Sequence, residues 1–279
     1  MKIAYQGEPS AYSEAALLAY FGDGSSPVAC RTFEAVFAAV EAGECDNGML
    51  PIENSLAGSI HHNYDLLLAH SLQIVGEYFL AVQHCLVALP GATLKDIRKI
   101  ISHPQALAQC SNFLGSLPGV ISEAAYDTAG SVRLIREQDD PQVAAIASYR
   151  AAVVHGLPVL AERIEDHPEN YTRFLAVAPR PVMCDGESKT SIVFTLRNQP
   201  GTLFKALGVF ALRDIDLYKI ESRPLIGQPW EYLFYIDFAG NAGDLNCKRA
   251  LEHLQEMAPF YRLLGSYTRH CFDDLQEAP

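Results

Sequence analysis

Short apolar runs alternate with segments of helical spacing over the first two thirds of the chain. The apolar runs predict strands at 3–6, 48–52, 74–79, 85–89, 99–102, 144–147 and 174–178. Helical spacing predicts helices at 13–21, 32–41, 61–70, 104–117, 128–137 and 148–155. This alternation is typical of an α/β domain with mainly parallel sheets, in which ligands usually lie at the carboxyl ends of strands.

The pattern changes after a break at 181–189, where proline, glycine and charged residues follow one another without a period. Beyond this predicted linker, the spacing predicts strand 190–197, helix 202–212, strands 216–222 and 231–238, helix 244–257 and strand 260–267. The order β-α-β-β-α-β is the ferredoxin-like plan. We therefore expect two domains, 1–180 and 190–270.

Composition narrows the classes of partner. Of the 279 residues, 49% are hydrophobic and 19% charged, as in a packed globular protein, and the formal net charge is −12. An acidic chain repels nucleic acid and anionic membranes. Seven scattered cysteines form no Cys-x-x-Cys pair, and the opening residues resemble a strand and not a signal peptide. We expect a cytoplasmic protein with no metal site.

Polar residues follow the apolar strand 48–52. Glu53, Asn54 and Ser55 come directly after it, at the place where an α/β fold holds its ligand. Gly58 and Ser59 then lead into a helix, where backbone N–H groups and a Ser59 cap suit a carboxylate. A loop whose polar side chains only cap that helix is an equal alternative.

A second polar segment opens the helix predicted at 104–117. Ser102 and His103 precede a proline, which is tolerated in a first helical turn. Gln105, Gln109 and Asn112 share one face and offer neutral amides for a small acid. The alternative is a solvated polar face.

A third segment precedes the strand 174–178. Arg173 can pair with a carboxylate, and the Thr172 hydroxyl can donate to a departing group. A turn residue beside a surface arginine is the alternative. His61 and His62 are adjacent and point in different directions on a helix, which does not favour a shared metal ion.

In the second domain, Asn198 and Gly201 lie in a turn before the helix that Thr202 and Leu203 begin. Glu221, Ser222 and Arg223 close a strand before a proline, which cannot donate to a central ladder. These residues are either a ligand site or simply a helix cap and a strand end.

Together, the segments resemble the prephenate dehydratase family. Four of them do so in order: Leu-Pro-Ile-Glu-Asn-Ser at 50–55, Ser-His-Pro-Gln-Ala-Leu-Ala-Gln-Cys at 102–110, Ala-Ile-Ala-Ser at 145–148 and Asn-Tyr-Thr-Arg-Phe at 170–174. Pro-Gly-Thr-Leu at 200–203 and Glu-Ser-Arg-Pro at 221–224 resemble the family's C-terminal ACT regulatory domain. The resemblance spans nearly the whole chain.

The resemblance implies a carbon–oxygen lyase that needs no cofactor. Prephenate would lose CO2 and water to give phenylpyruvate, in the biosynthesis of L-phenylalanine. It also implies a bilobal α/β catalytic domain like that of periplasmic binding proteins, with the cleft between its lobes. Carried over to matching positions, it implies catalytic roles for Thr172, Glu53, Asn54, Ser102 and Gln109. The remaining candidates for substrate binding are Ser55, Gly58, Ser59, His103, Gln105, Arg173 and Phe174.

The ACT resemblance implies feedback by L-phenylalanine between the ACT domains of a homodimer or homotetramer. The expected effector residues are Asn198, Gly201, Thr202, Leu203, Glu221, Ser222 and Arg223. The opening segment at 7–14 and the segment at 59–68 look more like plant enzymes that use arogenate, which would give L-phenylalanine directly.

A rival class is a non-catalytic sensor of a small acid or an amino acid. An enzyme of this family must draw a dianion to an acidic protein. We therefore expect a cleft that is either locally positive or rich in N–H donors.

Overall fold

The computed structural model describes residues 1–184, 186–225, 227–228 and 230–270. Within them, the chain divides into two compact units. One comprises Met1–Leu66 with Tyr78–Phe174, and the other comprises Leu67–Glu77 with the described residues from Leu175 onward. The division at 174/175 precedes the predicted linker, and an excursion of eleven residues, Leu67–Glu77, joins the second unit.

The strands up to Ala178 form two sheets. They are β1 (Lys2–Gln6), β2 (Ser26–Cys30), β3 (Asn47–Asn54), β4 (Gly58–Ser59), β5 (Gln73–Ala81), β6 (Cys85–Val87), β7 (Lys99–Ser102), β8 (Ile121–Ala124), β9 (Val143–Ala147), β10 (Val159–Ala161) and β11 (Tyr171–Ala178). The first sheet has the order β2-β1-β3-β11-β5, with β4 paired to β3, and the second has the order β10-β6-β9-β7-β8. These sheets are the cores of two lobes.

The helices of this part connect the strands. They are α1 (Tyr12–Phe21), α2 (Phe33–Glu41), α3 (His61–Ala69), α4 (Pro104–Gln109), α5 (Ser111–Gly115), α6 (Thr128–Gln138) and α7 (Tyr149–His155). Polar residues begin several of them: Thr32 accepts from the N–H of Ala35, and Ser148 from that of Ala151. Helix α6 packs on β9 through an apolar stripe that includes Val132 and Ile135.

The sheets contain antiparallel pairs beside the expected parallel ones. Strand β1 pairs in parallel with β2 and β3, and β7 with β8 and β9, but β6 pairs antiparallel with both β9 and β10. Four strands are absent from the predicted set: β2, β4, β8 and β10. Three of these are edge strands without a buried residue, and β4 has only two residues, so none of the four has the buried face by which a strand is recognised.

One predicted helix is broken in two. The spacing predicts helix 104–117, but α4 ends at Gln109 and α5 begins at Ser111. The N–H of Asp166 donates to the Gln109 carbonyl at 2.7 Å, and the Asp166 carboxylate accepts from Ser111 Oγ and from the N–H of Asn112. A distant loop residue thus replaces the helical bonds at the break.

The second unit contains the predicted β-α-β-β-α-β order, which is confirmed. Its elements are β12 (Ser188–Thr195), α8 (Thr202–Ala211), β13 (Leu217–Pro224), β14 (Tyr232–Ala239), α9 (Leu245–Met257) and β15 (Tyr261–Thr268). The sheet order is β13-β14-β12-β15. Helices α8 and α9 contribute Phe210 and Leu254 to a core with Phe194 and Phe238.

Strand β12 begins inside the predicted linker 181–189. Lys189 is buried, and its ammonium lies 2.6 Å from Glu77 Oε1, in the excursion that belongs to the same unit. Gly265 is also packed against this excursion, because an added Cβ would lie 2.1 Å from the Ile74 carbonyl oxygen. No helix in the described part of the chain is long and apolar enough to span a bilayer.

Candidate active site

A cavity of about 440 Å³ lies between the two lobes of the first unit. Its size is in the usual range for a small-molecule site. The first lobe contributes strand ends and the hairpin after β3, and the second contributes α4 and the segment before β6. The lining is Gln6, Tyr12, Ser13, Pro51, Asn54, Ala57, Gly58, Ser59, Ile60, Val82, His84, His103, Gln105, Ala106, Gln109, Tyr126, Asp127, Thr128, Thr172 and Phe174.

Asn54 holds the chain at Thr172. Its amide nitrogen is 2.8 Å from Asn170 Oδ1, 3.1 Å from the Tyr171 carbonyl oxygen and 3.1 Å from Thr172 Oγ1. Its two N–H groups are shared among these three acceptors. Because Asn54 ends β3 and Thr172 lies near the start of the neighbouring β11, the amide joins the two strands at the cavity wall.

The Thr172 hydroxyl is available as a donor toward a ligand. It is 9% exposed, lines the cavity, and its oxygen accepts from Asn54. An amide nitrogen can only donate here, so the hydroxyl proton is directed elsewhere.

The same Asn54 side chain shapes the following turn. Its Oδ1 accepts from the N–H groups of Leu56 and Ala57, and β4 then returns antiparallel to β3 with Ser59 opposite Glu53. Gly58 has φ +81°, which favours glycine. The expected Ser59 cap is wrong: α3 begins only at His61, and Ser59 lies in the hairpin. Glu53 and Asn54 likewise end β3 instead of following it.

The second lobe presents the start of α4. His103 is its N-cap, and its Nδ1 accepts from the Gln105 N–H at 3.2 Å. A ring nitrogen that accepts carries no proton, so the proton of a neutral His103 is on Nε2, which can donate to a ligand. Gln105 and Gln109 line the cavity with His103, whereas Asn112 lies beyond the break.

His84 connects Gln109 with Tyr12. Tyr12 donates to the Gln83 carbonyl at 2.6 Å and lies 3.0 Å from His84 Nδ1, and His84 Nε2 lies 3.0 Å from Gln109 Oε1. Because a carbonyl only accepts, the Tyr12 proton is used there, and His84 Nδ1 must donate to the Tyr12 oxygen.

Burial lowers the pKa of His84 and favours its neutral form, whose Nε2 then accepts. A neutral His84 requires the amide nitrogen of Gln109 at this contact, with the amide oxygen turned away from the ring. The orientation of Gln109 is therefore coupled to the protonation of His84.

The cavity has N–H and O–H donors in place of cations. Its lining, all of it within the described residues, contains no Lys or Arg and one carboxylate, that of Asp127. The cleft was expected to be either locally positive or rich in N–H donors. The first alternative is wrong for this lining, and the second agrees with the donors of Thr172, His103, Gln105 and the backbone. The described residues also contain no group of three or more His, Cys, Asp or Glu arranged to hold a metal ion.

Four predicted site residues lie outside the lining. Ser102 is fully buried and donates to the Ile146 carbonyl at 2.7 Å. The Ser55 hydroxyl donates to the Glu169 carbonyl and accepts from the Tyr171 N–H. Glu53 and Arg173 lie in β3 and β11. Their roles remain predictions.

Tyr12, His84 and Asp127 line the cavity but are absent from the predicted site. Tyr12 lies in the opening segment at 7–14, and Asp127 directly precedes a predicted helix, so both carried a usable signal. His84 stands alone before a short strand, and only the tertiary contacts reveal it.

The second unit has its own smaller cavity, of about 360 Å³. Its lining includes the predicted Asn198, Gly201, Thr202 and Leu203, together with Phe204 and Trp230. Gly201 has φ +81° at the N-cap of α8. The predicted Glu221, Ser222 and Arg223 lie on β13 and do not line this cavity.

The fold and the cavity define a two-lobed α/β protein with a polar cavity of small-molecule size between its lobes. Comparison with known proteins identifies the family: residues 3–182 match the model of the family described as prephenate dehydratase. The chain belongs to this family, and the expected fold and the enzyme class, a carbon–oxygen lyase, are confirmed.

The sequence similarity to these relatives extends over nearly the full chain. The chain is 49% identical over 278 residues to "Arogenate dehydratase/prephenate dehydratase 2, chloroplastic" of Arabidopsis thaliana, covering 96% of this chain and 72% of that protein. The crystal structure of prephenate dehydratase in complex with L-Phe from Arthrobacter aurescens is 36% identical, with a TM-score of 0.88 over 96% of this chain and 90% of that one.

A second solved structure is described as GqqA, a novel type of quorum quenching acylase. It is 36% identical, with a TM-score of 0.89 over 98% of this chain and 100% of that one.

The expected cytoplasmic location is contradicted by these relatives, because the Arabidopsis protein is chloroplastic. That expectation rested on the cysteine spacing and on opening residues unlike a secretory signal, and neither feature distinguishes one reducing compartment from another.

Proposed function

We propose that the chain converts prephenate to phenylpyruvate by decarboxylating dehydration. The observation that carries this is the Thr172 hydroxyl, which Asn54 holds at the wall of a cavity without cations. The bond between the ring and its carboxylate breaks, the carboxylate leaves as CO2, and the electron pair of that bond passes into the ring, which becomes aromatic. The ring C–O bond breaks, and the hydroxyl takes up one proton and leaves as water.

Thr172 acts on the leaving hydroxyl. Hydroxide is a poor leaving group, so a donor aimed at its oxygen lowers the barrier. A threonine is too weak an acid to give up its proton outright, so Thr172 donates a hydrogen bond within a relay whose proton comes from solvent or a neighbouring group. Asn54 fixes the direction of this hydroxyl.

The absence of Lys and Arg from the lining favours loss of the ring carboxylate. A cation bound to that carboxylate would stabilise the substrate more than the transition state, in which the negative charge is leaving it. His103 Nε2 and the amide of Gln105 suit the side-chain carboxylate, which the reaction retains. Gln109 lies beside them. Glu53, Ser102 and Arg173 act as positioning residues from the strands β3, β7 and β11, and Ser55 does so from the turn after β3.

A spectrophotometric assay with purified protein tests this function. We expect phenylpyruvate to accumulate from prephenate, and Thr172→Val to lower the turnover by orders of magnitude. Arogenate, run in parallel, tests the alternative in which L-phenylalanine forms directly, which the names of the plant relatives favour. A folded protein that binds these acids without turning over either one would be a sensor and would refute the enzyme.

We also propose that the second unit is an ACT regulatory domain that binds L-phenylalanine. Its β-α-β-β-α-β order and the cavity at Gly201 support this, as does the L-Phe complex of the Arthrobacter relative. The proposed domains are a catalytic domain at 1–180, a linker at 181–189 and the regulatory domain at 190–270.

A second subunit would complete the effector site. Phe204 is 80% exposed and Trp230 is 79% exposed beside that cavity, and β13 is an edge strand that carries Glu221, Ser222 and Arg223. We propose a homodimer, or a homotetramer built from it.

Titration with L-phenylalanine, followed by calorimetry and by light scattering of the full chain, tests this proposal. Gly201→Val should abolish the heat of L-phenylalanine binding. The turnover measured without L-phenylalanine should be unchanged in this variant. Phe204→Lys should reduce the mass to that of a monomer. Unchanged binding and unchanged mass in these variants would contradict the proposed site.

A further inference from the structure

Asp127 contributes a carboxylate to the lining of the cavity between the lobes. It is the one carboxylate among the residues of the lining and lies between Tyr126 and Thr128, which also line it. A small dianionic acid gains nothing from such a neighbour. The residue therefore calls for a ligand group other than a carboxylate.

The Asp127 carboxylate is held in place by its own helix. Its Oδ1 accepts from the N–H of Ala129 at 2.7 Å and from that of Gly130 at 3.0 Å, as the N-cap of α6. Oδ2 accepts no hydrogen bond within the described residues. Gly7 lies beside it: a Cβ there would be 3.5 Å from Oδ2, so glycine leaves that side uncrowded. One oxygen is thus anchored and the other can accept.

Arg150 and Arg133 pair with carboxylates other than that of Asp127. Arg150 lies 3.1 Å from Glu14 Oε2, and Arg133 lies 3.8 Å from Glu8 Oε1. The pKa of Tyr5 is raised mainly by burial, and the negative charges of Glu14, Glu8 and Asp127 raise it further. The Asp127 carboxylate therefore also acts on this buried residue.

We propose that Asp127 binds the ammonium group of an amino-acid substrate and shifts the preference of this enzyme from prephenate toward arogenate. The inference rests on the proposed dehydratase function and deepens it. Arogenate carries an ammonium where prephenate carries a ketone. A carboxylate attracts the ammonium group of arogenate. The same carboxylate repels the negatively charged prephenate, whose ketone offers no compensating bond.

The ammonium takes no part in the bonds that change. Arogenate loses CO2 and water as prephenate does, and the product is L-phenylalanine with its amino group intact. Asp127 therefore stabilises the bound substrate and the transition state alike. Its loss should act mainly on KM for arogenate.

Asp127→Asn and Asp127→Ser test the proposal, because both side chains still cap α6 and both remove the charge. We expect kcat/KM for arogenate to fall roughly ten- to hundredfold, mostly through KM, as for a lost hydrogen bond to a charged group. We expect kcat/KM for prephenate to rise. The matched control is Asp139→Asn, at the other end of α6, where Asp139 has φ 51° and asparagine is well tolerated.

The ratio of the two kcat/KM values is the deciding measurement. A ratio that changes only in the Asp127 variants supports the proposal. A ratio that is unchanged, or that changes equally in Asp139→Asn, overturns it, and thermal unfolding shows whether the variants are folded. If the unmodified protein converts neither acid, the dehydratase function itself has failed.

Discussion

The amide nitrogen of Asn54 lies 3.1 Å from the hydroxyl oxygen of Thr172, although 118 residues separate them in the chain. The contact is possible because β3 and β11 are neighbours in the first sheet. In this contact the Thr172 oxygen accepts, so the hydroxyl proton can be donated to a ligand. The hydroxyl lies at the cavity wall. The resemblance to the family names these residues, and the structure supplies their relationship.

Replacing Thr172 with valine should lower kcat by a factor of roughly 10²–10⁴, the usual contribution of a positioned proton donor. Valine keeps the shape and removes the hydroxyl. Thr172→Ser, which keeps it, should retain most of the turnover. Steady-state kinetics with prephenate and arogenate measure both variants, and near-normal kcat in folded Thr172→Val would remove Thr172 from the chemistry.

Asn54→Asp should impair both folding and turnover. The change keeps the size but removes both N–H donors and places a carboxylate against three oxygens. Each buried polar group left without its partner costs about 1–3 kcal/mol, so the free energy of unfolding should fall by at least that amount. Urea unfolding measures this loss. Full stability with lost activity would mean that Asn54 touches the substrate instead of supporting Thr172.

His84 should make the stability depend on pH. Its pKa is lowered in the folded protein by burial, whereas an unfolded histidine titrates at about pH 6.5. Below that pH, the unfolded state binds more protons, so the free energy of unfolding falls as the pH falls. We expect His84→Asn to show a smaller loss of stability between about pH 7 and pH 5.

The comparison with His84→Asn isolates this one group. The pKa of His155 is also lowered by burial, but His155 is present in both proteins and cancels in the difference. Thermal unfolding over the pH series gives the two slopes. Parallel curves would show that His84 is not the titrating group.

The buried pair of Lys189 and Glu77 should be strongly coupled. Glu77→Gln leaves an ammonium that is 6% exposed without its carboxylate, which should cost about 3–5 kcal/mol. The double variant Glu77→Leu with Lys189→Met should recover most of this loss, since it leaves no unpaired charge. Denaturant unfolding of the three proteins tests the coupling, and equal losses in the single and double variants would exclude it.

Much of the fold follows from local sequence patterns. The helices α1 and α6 and the strand β7 lie within one residue of their predicted bounds, and in α6 the apolar residues have the period of a helix with one buried face. The break between α4 and α5 could not be predicted, because its cause is Asp166, 57 residues after Gln109 in the chain. The edge strands β2, β8 and β10 were missed for a related reason: none of them has a buried residue, and their pairing with a neighbouring strand defines them.

The candidate site, too, was predictable from the sequence only in part. Asn54, Gln109 and Thr172 stand in segments that resemble a family, and the sequence by itself was sufficient to name the family, the fold and the reaction. The tertiary structure alone decided which of the named residues line the cavity, and it added His84 and Asp127. The physical reason is that a sequence motif and the spacing of apolar residues depend only on residues that are close together in the sequence. The direction of a hydroxyl proton, and the free oxygen of a carboxylate, depend on partners that only folding brings together.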